Sequence, residues 1–502
     1  MADSSLVLTQ DIGIYTCKAA LFSFDGSMLR SNIVSYCPEK NGQGHSWQSP
    51  QLWWDAFCRN CRTLLAGIDP GRVKAVCLCG QTLGCMAVDS DVVPLQGHVT
   101  WDDTRASEEV EQIGQIFGYP QLHQITGLCP GQAHMLPIIL WFMKHQPDIY
   151  RRTYKFLSCK DYINYKLTGR IATDETCAGF TQMYDLLQER WSNAILDAFH
   201  IDREKLPEVV PFGTVLGELT PAAAVQCGLA QDTAVIQGMG DGRAPAVGAG
   251  LLHPGEGYIN LGSSSWVSQI TADPVMDQEH SLTKTVYHSG LYSNGGSSIA
   301  GRLCLDWYIN TFSSAENHVS NDAIGPFLAR QLINSPVGSN GLLFLPYLRG
   351  ALTPWCDHFA KGGFIGLSTK HTKYDFCRSI LEGVSFQLTI IKNRVERLSP
   401  FTSMRIVGSA VFPEWQQILL DTFEMEIVSS DLSAFAGCVG SAVISGIALG
   451  RYRDYTEVHR FQRAQRITFP IDEHVRLYRE FFPVFEDCYY ALSEINRYLD
   501  RL

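Results

Sequence analysis

Two stretches of the chain, one near its start and one just past its middle, share the same order of elements. Residues 6–24 read LVLTQDIGIYTCKAALFSF, and residues 258–270 read YINLGSSSWVSQI. In each stretch an apolar run predicts a buried strand, a loop of small residues follows, and a second apolar run predicts a returning strand. Two halves that open in the same way indicate a duplicated fold. We therefore expect an α/β protein with two similar domains that meet in a cleft.

The rest of the chain alternates strand and helix signals. Apolar runs predict further strands at 28–36, 73–79, 86–88, 234–237 and 405–407. Apolar residues at helical spacing predict helices at 106–117, 162–167 and 191–199, with another from Pro413. His253-Pro254-Gly255 interrupts an Ala/Gly-rich segment near the midpoint. This break predicts an N-terminal domain at 1–252 and a C-terminal domain at 253–502, which ends in a helical, aromatic-rich tail beyond about residue 451.

Composition and charge exclude several classes of partner. The chain has 502 residues, 18 % of them charged, and a net charge of −11. An acidic chain with no long run of Lys and Arg argues against nucleic acid and against an anionic membrane surface. Two charge-free stretches, 112–143 and 432–450, are broken by prolines or by glycines and serines. A membrane span needs about 20 mostly apolar residues, so both stretches are interpreted as buried segments of a globular core.

Sixteen cysteines raise the question of cellular compartment. They are scattered along a long chain, many of them inside apolar runs, whereas secreted disulfide scaffolds are short and dense in cysteine. Residues 1–10 lack the basic start and apolar core of a secretion signal. We expect reduced thiols in a cytoplasmic protein. The alternative, a zinc site at Cys58/Cys61 or Cys77/Cys79, lacks a second ligand pair at zinc-finger spacing.

Three loops of small residues, at 11–18, 262–265 and 408–410, each follow a predicted strand. Backbone N–H groups in such loops are unshielded and can hold phosphate. A single loop of this kind is more typical of a tight turn. Three of them, two at matching places of two halves, favour a nucleotide site between the domains. Asp11 is then a candidate Mg²⁺ ligand or a turn cap, and Lys18 a candidate phosphate ligand or a solvated side chain.

Asp241 lies between Gly240 and Gly242, at the end of a predicted strand and just before a predicted helix. A carboxylate there can accept a proton from a substrate hydroxyl, because the flanking glycines permit close approach. The competing interpretation is a helix N-cap, which aspartate also favours. The local sequence supports both equally.

Two other segments combine side chains that suit a polar ligand. Residues 101–105 (WDDTR) place an aromatic ring beside two carboxylates and a guanidinium, and residues 80–84 (GQTLG) form a glycine-bounded loop after a strand. Aromatic faces and polar groups are suited to sugars. An acidic helix start explains Asp102 and Asp103 equally well, and a plain turn explains 80–84.

Several longer motifs make the chain similar to the FGGY family of carbohydrate kinases, within the actin/sugar-kinase/Hsp70 superfamily. Residues 362–367 (GGFIGL), followed after seven residues by 375–382 (DFCRSILE), fit the second signature of that family at every specified position. Residues 139–145 fit its first signature, except that Ile138 stands where the family has lysine. Within the family the chain most resembles the xylulokinase branch. The resemblance covers about residues 6–450 and implies two duplicated actin-like ATPase domains of the ribonuclease H-like type, with a cleft between them.

The resemblance also implies roles for individual residues. Asp241 matches the catalytic aspartate, which also contacts the sugar, and Asp11 matches the aspartate that helps to hold Mg²⁺. The residues that it implies for ATP binding are Gly13, Thr16, Lys18, Gly262, Ser263, Ser264, Gly408 and Ser409. Those that it implies for contact with the sugar are Gln81, Thr82, Leu83 and Trp101.

The chain departs from the family pattern at four places. Ile14 and Tyr15 stand where Thr or Ser is usual in the first phosphate loop, and residues 407–410 read VGSA where the family has Gly-Gly-Gly-Ala. Thr82-Leu83 replaces the Met-His of xylulokinases, and Gly242 replaces an Asn or Gln. The last two departures argue against D-xylulose as the substrate.

These observations predict an ATP-dependent kinase of a small sugar, a ketose or a polyol, with ATP and Mg²⁺ as cofactors. Asp241 would act as the general base for a sugar hydroxyl. The competing hypothesis is a kinase relic that binds sugar or nucleotide as a sensor without catalysis; Ile14 and Tyr15 favour it, and Asp241 opposes it. The sequence leaves a homodimer open.

Overall fold

A computed structural model describes residues 4–41, 44–273, 276–312 and 324–500. The strands of the first half are β1 Leu6–Ile12, β2 Thr16–Ser23, β3 Met28–Ser35, β4 Glu39–Lys40, β5 Ser46–Gln48, β6 Val73–Gly80, β7 Met86–Val88, β8 His98–Val99, β9 Lys155–Leu157, β10 Ala172–Asp174, β11 Tyr184–Asp185, β12 Arg190–Trp191, β13 Glu208–Val210, β14 Val215–Glu218 and β15 Ala234–Ile236. Its helices are α1 Pro50–Leu65, α2 Ser107–Ile116, α3 Tyr119–Thr126, α4 Met135–His145, α5 Pro147–Arg152, α6 Cys159–Thr168, α7 Glu175–Ala178, α8 Asn193–Ala198, α9 Pro221–Cys227 and α10 Ala244–Ala249.

The second half continues with the strands β16 Glu256–Leu261, β17 Ser265–Thr271, β18 Thr283–Val286, β19 Tyr292–Ser298, β20 Leu343–Leu345, β21 Gly363–Ile365, β22 Ser403–Val407, β23 Ile427–Ser430 and β24 Gln465–Thr468. Its helices are α11 Arg302–Phe312, α12 Ile324–Leu332, α13 Lys373–Leu398, α14 Pro413–Phe423, α15 Ala436–Ala448 and α16 Asp472–Leu499.

The sheets of the two halves share a core of five strands with the same order and directions, which confirms the predicted duplication. In the first sheet β1 pairs antiparallel with β2 and parallel with β6, and the strand order is β3-β2-β1-β6-β15-β14. In the second sheet β16 pairs antiparallel with β17 and parallel with β22, and the order is β18-β19-β17-β16-β22-β23-β24. The quoted stretches 6–24 and 258–270 form the matching central hairpins. The loops that follow β1 and β16 therefore occupy equivalent positions in the two sheets.

The helix α15 joins the two halves, although it belongs to the second half in sequence. It packs on β1 and β6 of the first sheet and on α10. The approach to α10 is so close that a Cβ on Gly440 would lie 2.0 Å from the carbonyl oxygen of Ala244, so this position requires glycine. Nearly all of α15 is buried, as was predicted for residues 432–450. None of the helices in the described ranges is both long and apolar enough to cross a bilayer.

Two predicted elements differ in detail from the structure. The helix expected at 191–199 begins at Asn193, because Trp191 belongs to β12 and packs in the core. The tail expected to be helical first adds an edge strand, β24, to the second sheet before α16 begins. Both differences arise from strand pairing, of Trp191 with Tyr184 in a local hairpin and of β24 with β23, which helical spacing does not report.

Candidate active site

One cavity of about 300 Å³ lies between the two sheets and is lined from both halves of the chain. All fourteen residues predicted from the sequence line it: Asp11, Gly13, Thr16, Lys18, Gln81, Thr82, Leu83, Trp101, Asp241, Gly262, Ser263, Ser264, Gly408 and Ser409. They come from segments up to about four hundred residues apart in sequence. The structure therefore brings together every predicted site residue, whatever the role of each.

Asp241 lies in the loop between β15 and α10. Its backbone N–H donates to the carbonyl of Gly80 at 2.9 Å, and the hydroxyl of Thr82 donates to its Oδ1 at 3.1 Å. The helix α10 begins only at Ala244, and the residue at its N-cap position is Arg243. The helix-cap interpretation of Asp241 is therefore wrong: its carboxyl group faces the cavity loop at Thr82, not the first turn of the helix.

The surroundings of Asp241 favour its neutral form. Burial raises the pKa of Asp241 to about 7, and the nearby carboxylate of Asp11 adds to the rise. The hydrogen bond from Thr82 opposes the rise, because it stabilises the charged form. A carboxyl group whose pKa lies near neutrality is well matched to taking up and releasing a proton.

Asp11 is at the end of β1, opposite Lys18 in the β1–β2 hairpin. Its carboxylate lies against the start of α15, since a Cβ on Gly437 would be 3.0 Å from Oδ2. Asp11 and Asp241 thus place two carboxyl groups in one cavity, close enough for the charge of one to raise the pKa of the other. Such an oxygen donor set with unfavourable mutual repulsion fits a divalent cation of the Mg²⁺ type.

Lys18 has a protein partner that the sequence did not predict. Its Nζ donates to the carbonyl of Ala434, just before α15, at 2.9 Å. An ammonium group has three N–H donors, so this bond does not use its full capacity. Lys18 therefore links the first loop to the second half of the chain while it also lines the cavity.

The second and third loops are tied to each other behind the cavity. Ala410 N–H donates to the carbonyl of Leu261 at 2.9 Å, which joins the loop after β22 to the end of β16. Gly408 has φ +115°, and a Cβ there would lie 2.3 Å from the same carbonyl oxygen. Only glycine fits this position. Ser263, Ser264 and Ser409 line the adjacent cavity wall.

The loop at 80–84 is held by Gln81. Its Nε2 donates to the carbonyl of Gly13 at 3.2 Å and to Gln48 Oε1 at 3.0 Å, and the side chain is 3 % exposed. Gln81 thus fixes the first loop against the loop after β6. Thr82 and Leu83, next in the chain, line the cavity beside it.

In the segment 101–105 only Trp101 lines the cavity. Asp103 accepts two hydrogen bonds from Arg105, each of 2.8 Å, and Asp102 pairs with Lys40 and, at 3.5 Å, with Arg349. The helix α2 begins only at Ser107, so the acidic-helix-start interpretation of these carboxylates is wrong. Both aspartates stabilise the loop.

A buried polar network supports the Asp241 loop from behind. Gly240 N–H donates to Thr176 Oγ1 at 2.9 Å, and the Thr176 hydroxyl in turn donates to Asp174. Asp174 lies 2.7 Å from the ammonium group of Lys160, which also contacts Asp161 at 3.1 Å. Lys160, Asp174 and Thr176 have no measurable exposure, so the network is rigidly packed.

Family models of carbohydrate kinases match both halves of the chain. The N-terminal domain model of the FGGY family matches residues 6–248, and the C-terminal domain model matches residues 257–449. The chain belongs to the FGGY family of carbohydrate kinases. It is therefore an enzyme that phosphorylates a carbohydrate, and its relation to the actin-like ATPase fold, expected from the sequence, is confirmed.

Individual relatives of this FGGY kinase span its full length. A xylulose kinase of Staphylococcus xylosus is 28 % identical over 495 residues, which is 96 % of this chain and 99 % of the relative. A gluconokinase of Bacillus subtilis is 25 % identical over 488 residues, covering 96 % and 95 %. The solved structure of a ligand-bound xylulose kinase from Lactobacillus acidophilus has a TM-score of 0.88 at 24 % identity, covering 97 % of this chain and 98 % of that one. The resemblance to the xylulokinase branch is confirmed, with gluconokinases among the relatives.

The family signature at 362–382 lies away from the cavity of this kinase. It runs from β21 into α13, whose start is capped by reciprocal bonds between Thr372 and Asp375. Glu382 accepts bonds from Gly338 N–H at 2.9 Å and from the Ser339 hydroxyl at 2.7 Å. The motif that best reveals the family therefore anchors a buried loop of the second half.

Several residues that line the cavity were missed by the sequence analysis. Phe180, Arg243, Trp266, Thr283 and the end of β19 all contribute to its wall. Phe180 and β19 carry no local pattern that marks a ligand site. Arg243 is different, because it stands only two residues after Asp241, and a cationic side chain at that spacing was a signal available in the sequence.

Proposed function

We propose that this FGGY kinase transfers the γ-phosphoryl group of ATP to a hydroxyl of a small ketose or polyol, with Asp241 as the general base. The observation that carries the proposal is the position of Asp241: it faces the same cavity as Asp11 and the three small-residue loops. The N-terminal half, 1–252, would hold the sugar, and the C-terminal half, 253–502, most of the nucleotide.

The proposed step needs one proton acceptor and a well-placed phosphoryl group. The sugar oxygen attacks the γ-phosphorus as its proton passes to Asp241, and the bond from the γ-phosphorus to the bridging oxygen breaks. ADP leaves with that oxygen, and the proton later returns to solvent. Phosphoryl transfer depends mainly on positioning and charge stabilisation. The pKa of Asp241, raised to about 7 by burial and by Asp11, leaves a fraction of the carboxyl groups ionised and ready to accept the proton.

Backbone groups of the three loops would bind the nucleotide. The loop at 13–16 and the loop at 262–264 offer unshielded N–H groups to phosphate, and 408–409 would contact the adenosine. Asp11 would hold Mg²⁺, which neutralises phosphate charge when bound. The Lys18–Ala434 bond would keep the first loop and the start of α15 together around the ligand.

The sugar would lie against Thr82, Leu83 and Trp101. Thr82 and Leu83 make a smaller and less basic surface than the Met-His pair of xylulokinases, which supports a substrate other than D-xylulose. The named relatives act on xylulose and on gluconate, and both are open-chain or chain-forming polyhydroxy compounds of five or six carbons.

The competing function is a relic that binds sugar or nucleotide without turnover. Ile14 and Tyr15 line the cavity where Thr or Ser is usual in the family, which is the observation in its favour. Against it stand the retained Asp241, its pKa near 7, and the network that holds its loop.

Two measurements test the proposal. Calorimetry with Mg²⁺ and a non-hydrolysable ATP analogue should show binding, and a panel of ketoses and polyols should stimulate ADP release. Binding of the analogue without ADP release for any sugar supports the relic. Absence of analogue binding, with and without sugars, contradicts the kinase, and absence of sugar binding as well contradicts both functions.

A further inference from the structure

We propose that Arg243 binds an oxyanion of the bound ligands, either the carboxylate of a sugar acid or the phosphoryl group in transfer. The inference rests on the proposed function and extends it, because it gives this residue a ligand of defined chemistry. The two sources share one chemistry, a delocalised anion that matches the planar guanidinium.

Arg243 is a buried cation in the wall of the cavity. It is 4 % exposed and lies in the Asp241 loop, at the start of α10. Its guanidinium lies over the ring of Phe180, 5.5 Å from the ring centroid, and both side chains line the cavity. The side chain is thus placed beside the proposed proton acceptor and on the side where the sugar would lie.

The protein partners of Arg243 are neutral. Its Nε donates to the Thr285 hydroxyl at 2.7 Å and its Nη1 to the Gly242 carbonyl at 3.0 Å. The nearby hydroxyl of Tyr258, which donates to the same Gly242 carbonyl, also favours the charged form of Arg243. A guanidinium has five N–H donors, so these bonds leave donors for a ligand.

Lys160 is a second buried cation, and its charge is neutralised entirely by side chains of the protein. Lys160 has no exposure and is held by two carboxylates, at 2.7 Å and 3.1 Å. Among the described residues, no carboxylate lies within 4 Å of Arg243 in an ion pair. A buried charge without a counter-ion is unfavourable, and an anionic ligand would relieve this cost.

Asp241 does not replace that counter-ion. It acts on Arg243 only through space, because the hydrogen bonds of the guanidinium go to Thr285 and Gly242 and not to the Asp241 carboxyl group. As a general base it also loses its charge during the reaction. An oxyanion on the ligand would therefore be the partner that keeps its charge throughout.

The test compares Arg243→Gln with the parent on a matched pair of compounds, D-gluconate and D-glucitol, which differ only at C1. If the oxyanion is a carboxylate, the parent prefers D-gluconate, and the variant loses about a hundredfold in kcat/KM for D-gluconate alone. If the oxyanion is the phosphoryl group, kcat falls by about 10²–10³ for every accepted sugar, with KM changed little.

A Thr285→Val variant provides the matched control, because it removes a partner of Arg243 but keeps the guanidinium. The inference predicts a much smaller loss than in Arg243→Gln. Equal losses in the two variants would overturn it, since Arg243 would then only connect the two halves. So would an Arg243→Gln enzyme within threefold of the parent on every substrate.

Two further readouts separate the failure of this inference from failure of the proposed function. Melting temperatures show whether the Arg243→Gln variant folds. If it does not, Arg243→Lys, which keeps the positive charge, takes its place in the same assays. The lysine variant should show the same kind of loss in kcat/KM or kcat, but a smaller one. If the parent releases no ADP with any sugar, the proposed function fails. Calorimetry then tests whether Arg243 binds an oxyanion. The inference predicts that the Arg243→Gln variant binds D-gluconate more weakly than the parent does, or that its affinity for Mg·ATP falls by more than its affinity for ADP. Unchanged affinities for all of them overturn the inference.

Discussion

Replacing Thr82 with valine should move the acid limb of the pH–rate profile to higher pH. Burial and the charge of Asp11 raise the pKa of Asp241 to about 7, and the Thr82 hydroxyl, 3.1 Å from Oδ1, counteracts them. The hydroxyl stabilises the carboxylate, so its removal favours the protonated form and raises the pKa further. A general base works only when ionised, so kcat/KM in the parent should rise with pH through about 7 and then level off.

The size of the shift follows from the strength of that hydrogen bond. A bond to a charged group contributes about 1.5–3 kcal/mol, and one pKa unit corresponds to about 1.4 kcal/mol. The valine variant should therefore have its acid limb about one to two units higher. At pH 7 the parent has roughly half of its Asp241 ionised, and the variant about a tenth or less.

The assay is ADP release from pH 5.5 to 9 with sugar and Mg·ATP both well below their KM values, so that the profile reports the free enzyme. Thr82 also lines the cavity in which we propose that the sugar binds. The readout is therefore the pH at which the limb lies, and not the height of the plateau. Thr82→Ser keeps the hydroxyl and should leave the limb in place. If the acid limb of the valine variant lies at the same pH as in the parent, or at lower pH, the assignment of Asp241 as the base is refuted. A pH–rate profile of the parent without an acid limb would refute it as well.

Three further predictions concern support and specificity. Thr176→Val removes the acceptor for Gly240 N–H and should lower kcat about tenfold, while the KM for the sugar stays within threefold of the parent value. Thr176→Ser keeps the hydroxyl and should have the kcat of the parent; a serine variant as slow as the valine variant would contradict a positioning role for Thr176. Lys160→Met leaves two carboxylates unpaired in the core and should lower the free energy of unfolding in urea by about 3–5 kcal/mol, whereas a loss below 1 kcal/mol would show the network to be unimportant. Because Leu83 replaces a histidine of xylulokinases, D-xylulose should not have the highest kcat/KM in a panel of ketoses and polyols, and a first rank for D-xylulose would show this reasoning to be wrong.

Local signals were sufficient to predict the central architecture and part of the lining of the site. The strand–loop–strand pattern at 6–24 and 258–270 depends on residues adjacent in sequence, and the equivalent positions of the two loops follow from the duplication. Asp241 was found in the same way, from a strand end flanked by glycines. The resemblance to a family then assigned expected roles to residues whose local pattern left two interpretations open.

Contacts between distant segments could not be predicted. The partner of Lys18 is Ala434, 416 residues away, and the support of Gly240 comes from Thr176, 64 residues earlier. Neither partner carries a pattern that distinguishes it from an ordinary core or loop residue. The packing of α15 on the first sheet could not be predicted for the same reason. Its small residues indicate that another element packs closely against the helix, but they do not identify that element.

The central claim, that Asp241 is the general base of this kinase, is tested most directly by Asp241→Asn. Asparagine has the same shape, and its amide oxygen can still accept the bond from Thr82, but it cannot take the proton of a sugar hydroxyl. The measurement is ADP release against sugar concentration for parent and variant, with the Kd of the sugar from calorimetry. The account predicts that kcat falls by about 10²–10⁴ while the Kd changes less than about threefold. A variant whose kcat stays within a few-fold of the parent would contradict it.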